Sequence, residues 1–203
     1  MVDYTRAIKR PFSDFNKLLI GIVLQIIPIV NLIAAGYQLE CAKTAMKKNF
    51  KLPEWKNFGD YFVQGLVVLV IGLAYMLIPL ILMVVSGVGI VMGAIKGNFA
   101  ALGGAGIGMI ASLLLLLAAL YILPSALMNY VKSGKIGSAF SFGEVLGKAL
   151  TGKYFVAWLV AVIYGFVLMV PLSFIPIIGW AIAGFIAGVT SMTIFGEVYN
   201  EIK

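Results

Sequence analysis

The residues that could perform acid/base chemistry are few, and the candidate pair is Glu54 and Asp60 in a polar segment of the sequence. Two neighbouring carboxylates could act as general acid and general base, with Glu144 as a third candidate. The sequence has no His and one Cys, Cys41, which excludes an imidazole base, a Cys/His nucleophile pair, an intrachain disulfide and a structural zinc site. Because no feature of the sequence buries the carboxylates, we predict no catalytic residue, no metal site and no cofactor.

The composition indicates a membrane protein. Apolar residues make up 62% of the 203 residues and charged residues 11%, whereas a soluble domain has about 25% charged residues. The net charge of +7 could suggest nucleic acid, but the basic residues lie in short segments between apolar runs. There they are typical of topology signals and of contacts with anionic headgroups. We therefore predict membrane lipids as partners, and no nucleic acid.

Four charge-free runs are long enough to cross a bilayer, which takes about 20 helical residues. They are 18–39, 61–95, 97–131 and 154–196, and the last is long enough for two crossings with a Pro-containing turn at 171–176. The predicted fold class is therefore all-α, a polytopic bundle of transmembrane helices.

The first run decides the topology, because basic segments flank it on both sides. Four Lys or Arg residues precede it and five follow it in the next loop, and cytoplasmic loops are the ones rich in such residues. A helical hairpin that turns near Pro28 keeps every basic residue except Lys96 on one side. This arrangement has six membrane segments and both termini in the cytoplasm. A single crossing helix that Pro28 merely kinks is the alternative, and it stays open.

These runs define the segments of a single integral membrane domain over 1–203. The segments are a basic cytoplasmic amino terminus (1–17), a helical hairpin (18–39), a cytoplasmic loop with an interfacial helix (40–60), a crossing (61–95), an external loop (96–104), a crossing (105–131), a cytoplasmic loop (132–153) and two more crossings (154–172 and 176–198). A cleavable signal peptide ending near Gly36 is not expected, because Asp3 and Asp14 precede the apolar run.

The segment around Glu54 also carries a candidate membrane anchor. A proline there suits the first turn of a helix, and three aromatic residues then fall on one face at spacings of three and four. We predict an interfacial helix whose aromatic face enters the acyl boundary while two lysines contact lipid phosphates. The residues of this anchor are Trp55, Phe58, Phe62, Lys51 and Lys56.

Small and polar residues in the runs suggest how the helices pack. Glycines four residues apart let helix backbones approach closely in lipid, and the predicted packing positions are Gly89, Gly93, Gly97, Gly104 and Gly108. Charges are absent from the middle of the crossings, which disfavours proton-coupled pumps and voltage sensors. The candidate polar interior residues are Gln25, Asn31 and Gln64.

Two weak internal similarities raise the question of a repeat. Residues 27–37 resemble 175–185, and residues 57–60 resemble 141–144. Two related halves, each with three membrane segments, would produce this pattern. Chance recurrence in a chain rich in Ile, Pro, Gly and Phe is the alternative, and both stay open.

Several motifs together resemble one family. They are Gly36-Tyr37 at the end of the first hairpin, Leu52-Pro53-Glu54-Trp55 followed by Phe58-Gly59, and the segment 175–180, after a basic amino terminus. They are similar to the domain of unknown function 4013 family of multipass membrane proteins, found mainly in archaea and in some bacteria. The resemblance implies a prokaryotic cell membrane and supplies no activity, so no catalytic residue is carried over.

Two classes of function follow as expectations. The first is a non-enzymatic membrane protein that works through helix packing and lipid or protein contacts, as an oligomer or an accessory subunit. The second is a small transporter or channel for a neutral or lipidic solute. A transporter should enclose a polar cavity touching Gln25, Asn31 or Gln64, whereas a packing module should bond those groups between helices. A membrane enzyme would need the three carboxylates to converge in a cleft.

Overall fold

The computed structural model describes residues 2–202, and the regular structure in that range is helical. Lys203, counted above with the cytoplasmic basic residues, lies outside the described residues. The helices are α1 (Tyr4–Lys9), α2 (Phe15–Ile26), α3 (Asn31–Met46), α4 (Phe58–Ile95), α5 (Phe99–Ser133), α6 (Phe142–Ala149), α7 (Gly152–Leu172) and α8 (Ile178–Glu201), with short 3-10 helices at Arg10–Ser13 and Ile136–Phe140.

Four of the helices, α4, α5, α7 and α8, are long and apolar enough to cross a membrane. The predicted all-α class is thereby confirmed, with four helices that are apolar enough to span a membrane. The number of membrane segments and the side on which each terminus lies stay predictions.

The first apolar run forms two helices, α2 and α3, joined by a turn at residues 27–30. Its two ends lie together, because Arg10, just before α2, donates hydrogen bonds to the carbonyl of Cys41 (2.8 Å) and to the hydroxyl of Thr44 (2.6 Å) near the end of α3. The chain therefore reverses direction here as the hairpin prediction requires, and it is not one kinked helix.

The chain forms two compact units. The first contains residues 2–69 and 124–202, and the second contains residues 70–123. In the first unit, α2, α3 and α7 all pack on α8, around an apolar cluster that includes Tyr37, Phe185 and Val189. Small residues allow this approach: a Cβ added to Gly196 of α8 would lie 2.4 Å from the carbonyl oxygen of Ala42 in α3.

In the second unit, α4 and α5 are joined by only three residues, so the predicted external loop over 96–104 is too long. Gly97 has a φ of +61°, and the amide of Asn98 donates to the carbonyl of Gly93 (2.9 Å), which ends α4. The side chain of Asn98 accepts a hydrogen bond from the amide of Ala101 (3.0 Å) and caps α5. Because of this cap, residues 99–104 are helical.

The predicted interfacial helix within 40–60 is also wrong. Helix α3 continues to Met46, residues 47–57 contain no helix, and α4 begins at Phe58. The carbonyls of Pro53 and Glu54 instead accept hydrogen bonds from tyrosine hydroxyls (3.0 and 2.9 Å), and that of Glu54 also accepts one from the amide of Lys56 (2.9 Å).

The turns at 27–30 and 173–177 share an uncommon geometry. In each, an Ile directly after a Pro has a positive φ, +70° for Ile29 and +66° for Ile177, which β-branched residues rarely adopt. In the first turn the amide of Asn31 donates to the carbonyl of Ile27 (2.9 Å), and in the second the amide of Gly179 donates to the carbonyl of Ile175 (2.8 Å). The first of the two internal similarities therefore extends to the backbone.

The second similarity does not extend in this way. Phe58 begins the 38-residue helix α4, whereas Phe142 begins the eight-residue helix α6, which is not a crossing. The two similarities also occur in opposite order along the chain. A repeat of whole halves therefore stays a prediction.

Candidate functional site at the basic end of the first unit

Polar contacts join segments that are distant in sequence at one end of the first unit. The joined segments are the amino-terminal segment (2–17), the loop 47–57, α6 and the first turn of α7, and the last turns of α8. We call this region the basic end. The contacts are Arg6 with Glu197 (2.6 Å), Lys17 with Glu54 (2.6 Å), Lys153 with Glu201 (3.7 Å) and Lys148 over the ring of Tyr199 (3.5 Å).

Arg10 is the buried cation of the basic end, with 2% of its surface exposed. Its Nη1 donates to the carbonyl of Cys41 (2.8 Å) and to the hydroxyl of Thr193 (2.9 Å), and its Nη2 donates to the hydroxyl of Thr44 (2.6 Å) and the carbonyl of Lys51 (3.0 Å). Burial lowers the pKa of Arg10 below its ordinary value, but a guanidinium stays charged in proteins. Arg10 therefore ties the amino-terminal segment to α3, to α8 and to the loop.

An aromatic cluster of Tyr37, Trp55 and Tyr61 holds the loop against the helices. The indole of Trp55 stacks on Tyr37 with ring centroids 3.8 Å apart and 9° between the planes, and its N–H donates to the carbonyl of Lys17 (3.0 Å). The hydroxyl of Tyr37 donates to the carbonyl of Pro53, and the hydroxyl of Tyr61 donates to the carbonyl of Glu54. The Leu-Pro-Glu-Trp motif is therefore a docking segment that packs against the helices, with Leu52 buried and Trp55 half-buried.

The carboxylate of Glu54 is held by an ion pair. Lys17 contacts it at 2.6 Å, contacts Asp14 at 3.5 Å, and donates to the carbonyl of Leu52 at 3.2 Å. The hydrogen bond to Glu54 is the largest of the effects that raise the pKa of Lys17. A carboxylate held in an ion pair of this kind positions the loop.

The other two candidate carboxylates, Asp60 and Glu144, lie in the first turns of α4 and α6, where the helix dipole favours an acidic residue. Both residues are exposed. Within residues 2–202, no three Cys, Asp or Glu side chains lie close enough to hold a metal ion.

The five residues of the predicted anchor do not share one helix face. Trp55 is half-buried and turned toward Tyr37, Phe58 is 41% exposed and lies 5.9 Å from the indole, and Phe62 is half-buried. Lys51 and Lys56 are exposed.

Sequence reasoning missed a more exposed aromatic pair at the basic end. Phe12 is 54% exposed and Phe15 is 68% exposed, at the junction between the first 3-10 helix and α2. Their spacing of three between Lys9 and Lys17 was a usable signal for an interfacial segment.

The predicted packing glycines have three different environments, all in the second unit. Three of them face the neighbouring helix, so that an added Cβ would lie against it. Gly97 instead ends α4, and Gly104 has no atom within 4 Å of an added Cβ. An added Cβ would lie 2.9 Å from Ala105 at Gly89, 3.1 Å from Leu102 at Gly93 and 2.6 Å from Ser86 at Gly108.

A closer helix crossing lies in the first unit, between α3 and α4. A Cβ added to Gly36 would lie 1.9 Å from the carbonyl oxygen of Tyr61, and one added to Gly65 would lie 1.9 Å from that of Leu32. The two glycines are on different helices, so no spacing within one helix could have indicated this pair.

The candidate polar interior residues lie in separate places. The amide nitrogen of Gln25 lies 3.6 Å from a Cβ built on Gly184 of α8, and Asn31 is half-buried at the first residue of α3. Gln64 lines a small depression of about 120 Å³ with Lys43 and other residues near the ends of α3 and α5. Gln38, which sequence reasoning missed, donates to the carbonyl of Gly184 (3.4 Å).

A family model matches most of the chain. This model, described as "Protein of unknown function (DUF4013)", matches residues 20–177, which include the aromatic cluster and both turns with a positive-φ Ile. No curated protein and no solved structure matches the chain.

Proposed function

Since the chain belongs to the DUF4013 family, whose description assigns no activity, we propose a function from the geometry of the chain. The protein is a non-enzymatic membrane protein that works through helix packing and through lipid or protein contacts at its basic end. It acts as an oligomer or as an accessory subunit of a larger membrane assembly.

The observation that carries this proposal is the contrast between the apolar helices and the basic end. In the most apolar stretches of α4, α5 and α7, only 11% of the residues are buried, so these helices present apolar side chains to their surroundings. Exposed apolar surface of this extent exceeds what soluble monomers carry, and lipid or another protein must cover it. Most of the charged residues lie at the basic end, so recognition through polar groups is proposed to occur there.

The basic end is proposed to face the cytoplasm of a prokaryotic cell. Its segments carry most of the Lys and Arg residues that the positive-inside rule assigns to that side, and they contact one another in one place. Anionic headgroups of the inner leaflet would then lie next to exposed lysines such as Lys47 and Lys56.

The alternative is a small transporter or channel for a neutral or lipidic solute. One observation favours it: Oε1 of Gln25 is buried and accepts no hydrogen bond from the described residues. The hydrogen bond from Gln38 to the backbone of α8 supports the packing function, because that polar group is bonded between helices.

The test is extraction of the tagged full-length protein from its native membrane in polymer nanodiscs, followed by mass spectrometry of the contents. We expect enrichment of anionic lipid, a second copy of the chain or another membrane protein. Lys47→Glu at the basic end should reduce the enrichment, whereas Lys96→Glu, an equal charge change at another exposed lysine, should not. A bare monomer with lipids in bulk proportion would contradict the proposal.

A further inference from the structure

The amino-terminal segment and Phe50 line a cavity of about 370 Å³ at the basic end, and this cavity is largely open to solvent. The cavity is bordered by a phenylalanine ring, two hydroxyl groups and three cations, with one carboxylate. The lining residues are Phe50, Thr5, Ser13, Arg6, Lys9, Arg10 and Asp3.

The three cations are compensated to different degrees. Arg6 lies 2.6 Å from Glu197 and 4.0 Å from Asp3, so its charge is balanced within the protein. Lys9 is exposed and, of the described residues, no carboxylate lies within 4.0 Å of its ammonium group. The cavity therefore has surplus positive charge.

Arg10 adds to this surplus from the interior of the protein. Its hydrogen-bond acceptors are neutral carbonyls and hydroxyls, and its Nε, which is buried, has no partner among residues 2–202. A buried charge whose hydrogen-bond partners are all neutral is costly, and Arg10 contributes its charge to the wall of the cavity. An anion in the cavity would supply a further counter-charge.

We propose that this cavity binds the phosphate of an anionic lipid headgroup. The free ammonium of Lys9 and the exposed hydroxyl of Thr5 are the groups able to donate hydrogen bonds to it, while the buried guanidinium of Arg10 acts through its charge. The proposal depends on the proposed function, because it assumes that the basic end lies at a membrane surface.

The surroundings of the cavity favour a lipid over a free phosphate. Phe12 and Phe15 flank Ser13 and Asp14 in sequence and expose 54% and 68% of their surface. Helix α2 continues this apolar surface with Leu19 and Val23, which are 45% and 54% exposed. A phosphate held in the cavity would therefore have an apolar surface beside it along which acyl chains can lie.

The experiment measures binding of short-chain phosphatidylglycerol to the purified full-length protein in uncharged detergent by native mass spectrometry, with phosphatidylcholine as the neutral comparison. Lys9→Ala should weaken phosphatidylglycerol binding about fivefold, since one Lys near an anionic headgroup contributes at about that level. Lys56→Ala removes the same charge from the basic end outside the cavity and should change binding less than about twofold. Lys9→Arg should restore binding.

Equal effects of Lys9→Ala and Lys56→Ala would overturn the site, because attraction would then be a property of the whole surface. Inorganic phosphate is the second arm: if it competes with phosphatidylglycerol as strongly as the lipid itself, the lipid assignment is overturned in favour of a soluble phosphate. Circular dichroism of each variant confirms that it is folded. The nanodisc experiment detects contacts anywhere on the protein, so failure of the cavity and failure of the proposed function are distinguishable.

Discussion

Replacing Trp55 with Ala should release the loop 47–57 from the helices. The indole is held in three ways: by the stack on Tyr37 at 3.8 Å, by the hydrogen bond to the carbonyl of Lys17 at 3.0 Å, and by partial burial of its ring. If Trp55 were instead a lipid anchor, its removal would leave the loop in place and weaken only the contact with membrane.

The magnitude follows from these three contributions. An aromatic stack contributes about 1 kcal/mol beyond area burial, and a hydrogen bond about 1 kcal/mol. A half-buried large apolar side chain contributes roughly 1 to 1.5 kcal/mol. Together they stabilise the docked loop by about 3 kcal/mol, which corresponds to roughly a hundredfold change in the population of the open loop.

Limited proteolysis measures this population, because Lys51 and Lys56 flank the indole and trypsin cleaves after both. When opening is fast relative to cleavage, the cleavage rate follows the open fraction. We expect Trp55→Ala to be cleaved about a hundredfold faster than the unmodified protein in micelles. Phe58→Ala is the matched control, since Phe58 is 41% exposed and should raise the rate by less than about fivefold.

Unchanged cleavage in Trp55→Ala would refute the docking of this loop. If the same variant also lost affinity for vesicles, the interfacial anchor would regain support. Trp55→Phe refines the result, because it retains a stacking ring and removes only the N–H donor. Its cleavage rate should fall between those of the unmodified protein and Trp55→Ala.

The remaining predictions concern the closest helix crossing and the orientation. Gly65→Ala places a Cβ 1.9 Å from the carbonyl oxygen of Leu32 and should lower the free energy of unfolding by about 1 to 3 kcal/mol. Gly72→Ala is the control, because no atom lies within 4 Å of its Cβ. It should leave the free energy of unfolding unchanged or raise it by up to about 1 kcal/mol. Thermal unfolding compares the two, and equal midpoints would contradict the crossing. In a Cys41→Ala background, Lys96→Cys should react with an impermeant maleimide in intact cells and Lys47→Cys only after permeabilisation; the reverse pattern would exclude a cytoplasmic basic end.

Local properties of the chain explain why its class and its first hairpin were predictable. Charge-free runs of sufficient length identify the apolar helices, and Pro28 between two basic segments locates the reversal between α2 and α3. Both inferences need only composition and spacing, and neither depends on which helices are neighbours.

The environment of Trp55 could not be predicted in this way. Spacings of three and four place Trp55, Phe58 and Phe62 on one face, but they do not say whether lipid or protein covers that face. The ring that covers Trp55 belongs to Tyr37, which is 18 positions earlier in a helix whose packing the sequence does not show.

Arg10 was assigned to the topology signal for a similar reason. Two of its four closest acceptors are backbone carbonyls, which every residue carries and no motif marks. The shorter external loop is a different case. Asn98 is a residue type that commonly caps the start of a helix, so the sequence did carry a signal that α5 begins at Phe99.

The length of α4 has a consequence for the host membrane. At 1.5 Å per residue, its 38 residues span about 57 Å, whereas the hydrocarbon layer of a bilayer is about 30 Å thick. Even an inclination of about 40° would leave a vertical reach of about 44 Å. The carboxyl-terminal end of α4 is nevertheless apolar, since Ile95 is 74% exposed. A bilayer crossed by α4 would therefore meet a hydrophobic mismatch, which local thickening of the bilayer or a neighbouring protein would have to accommodate.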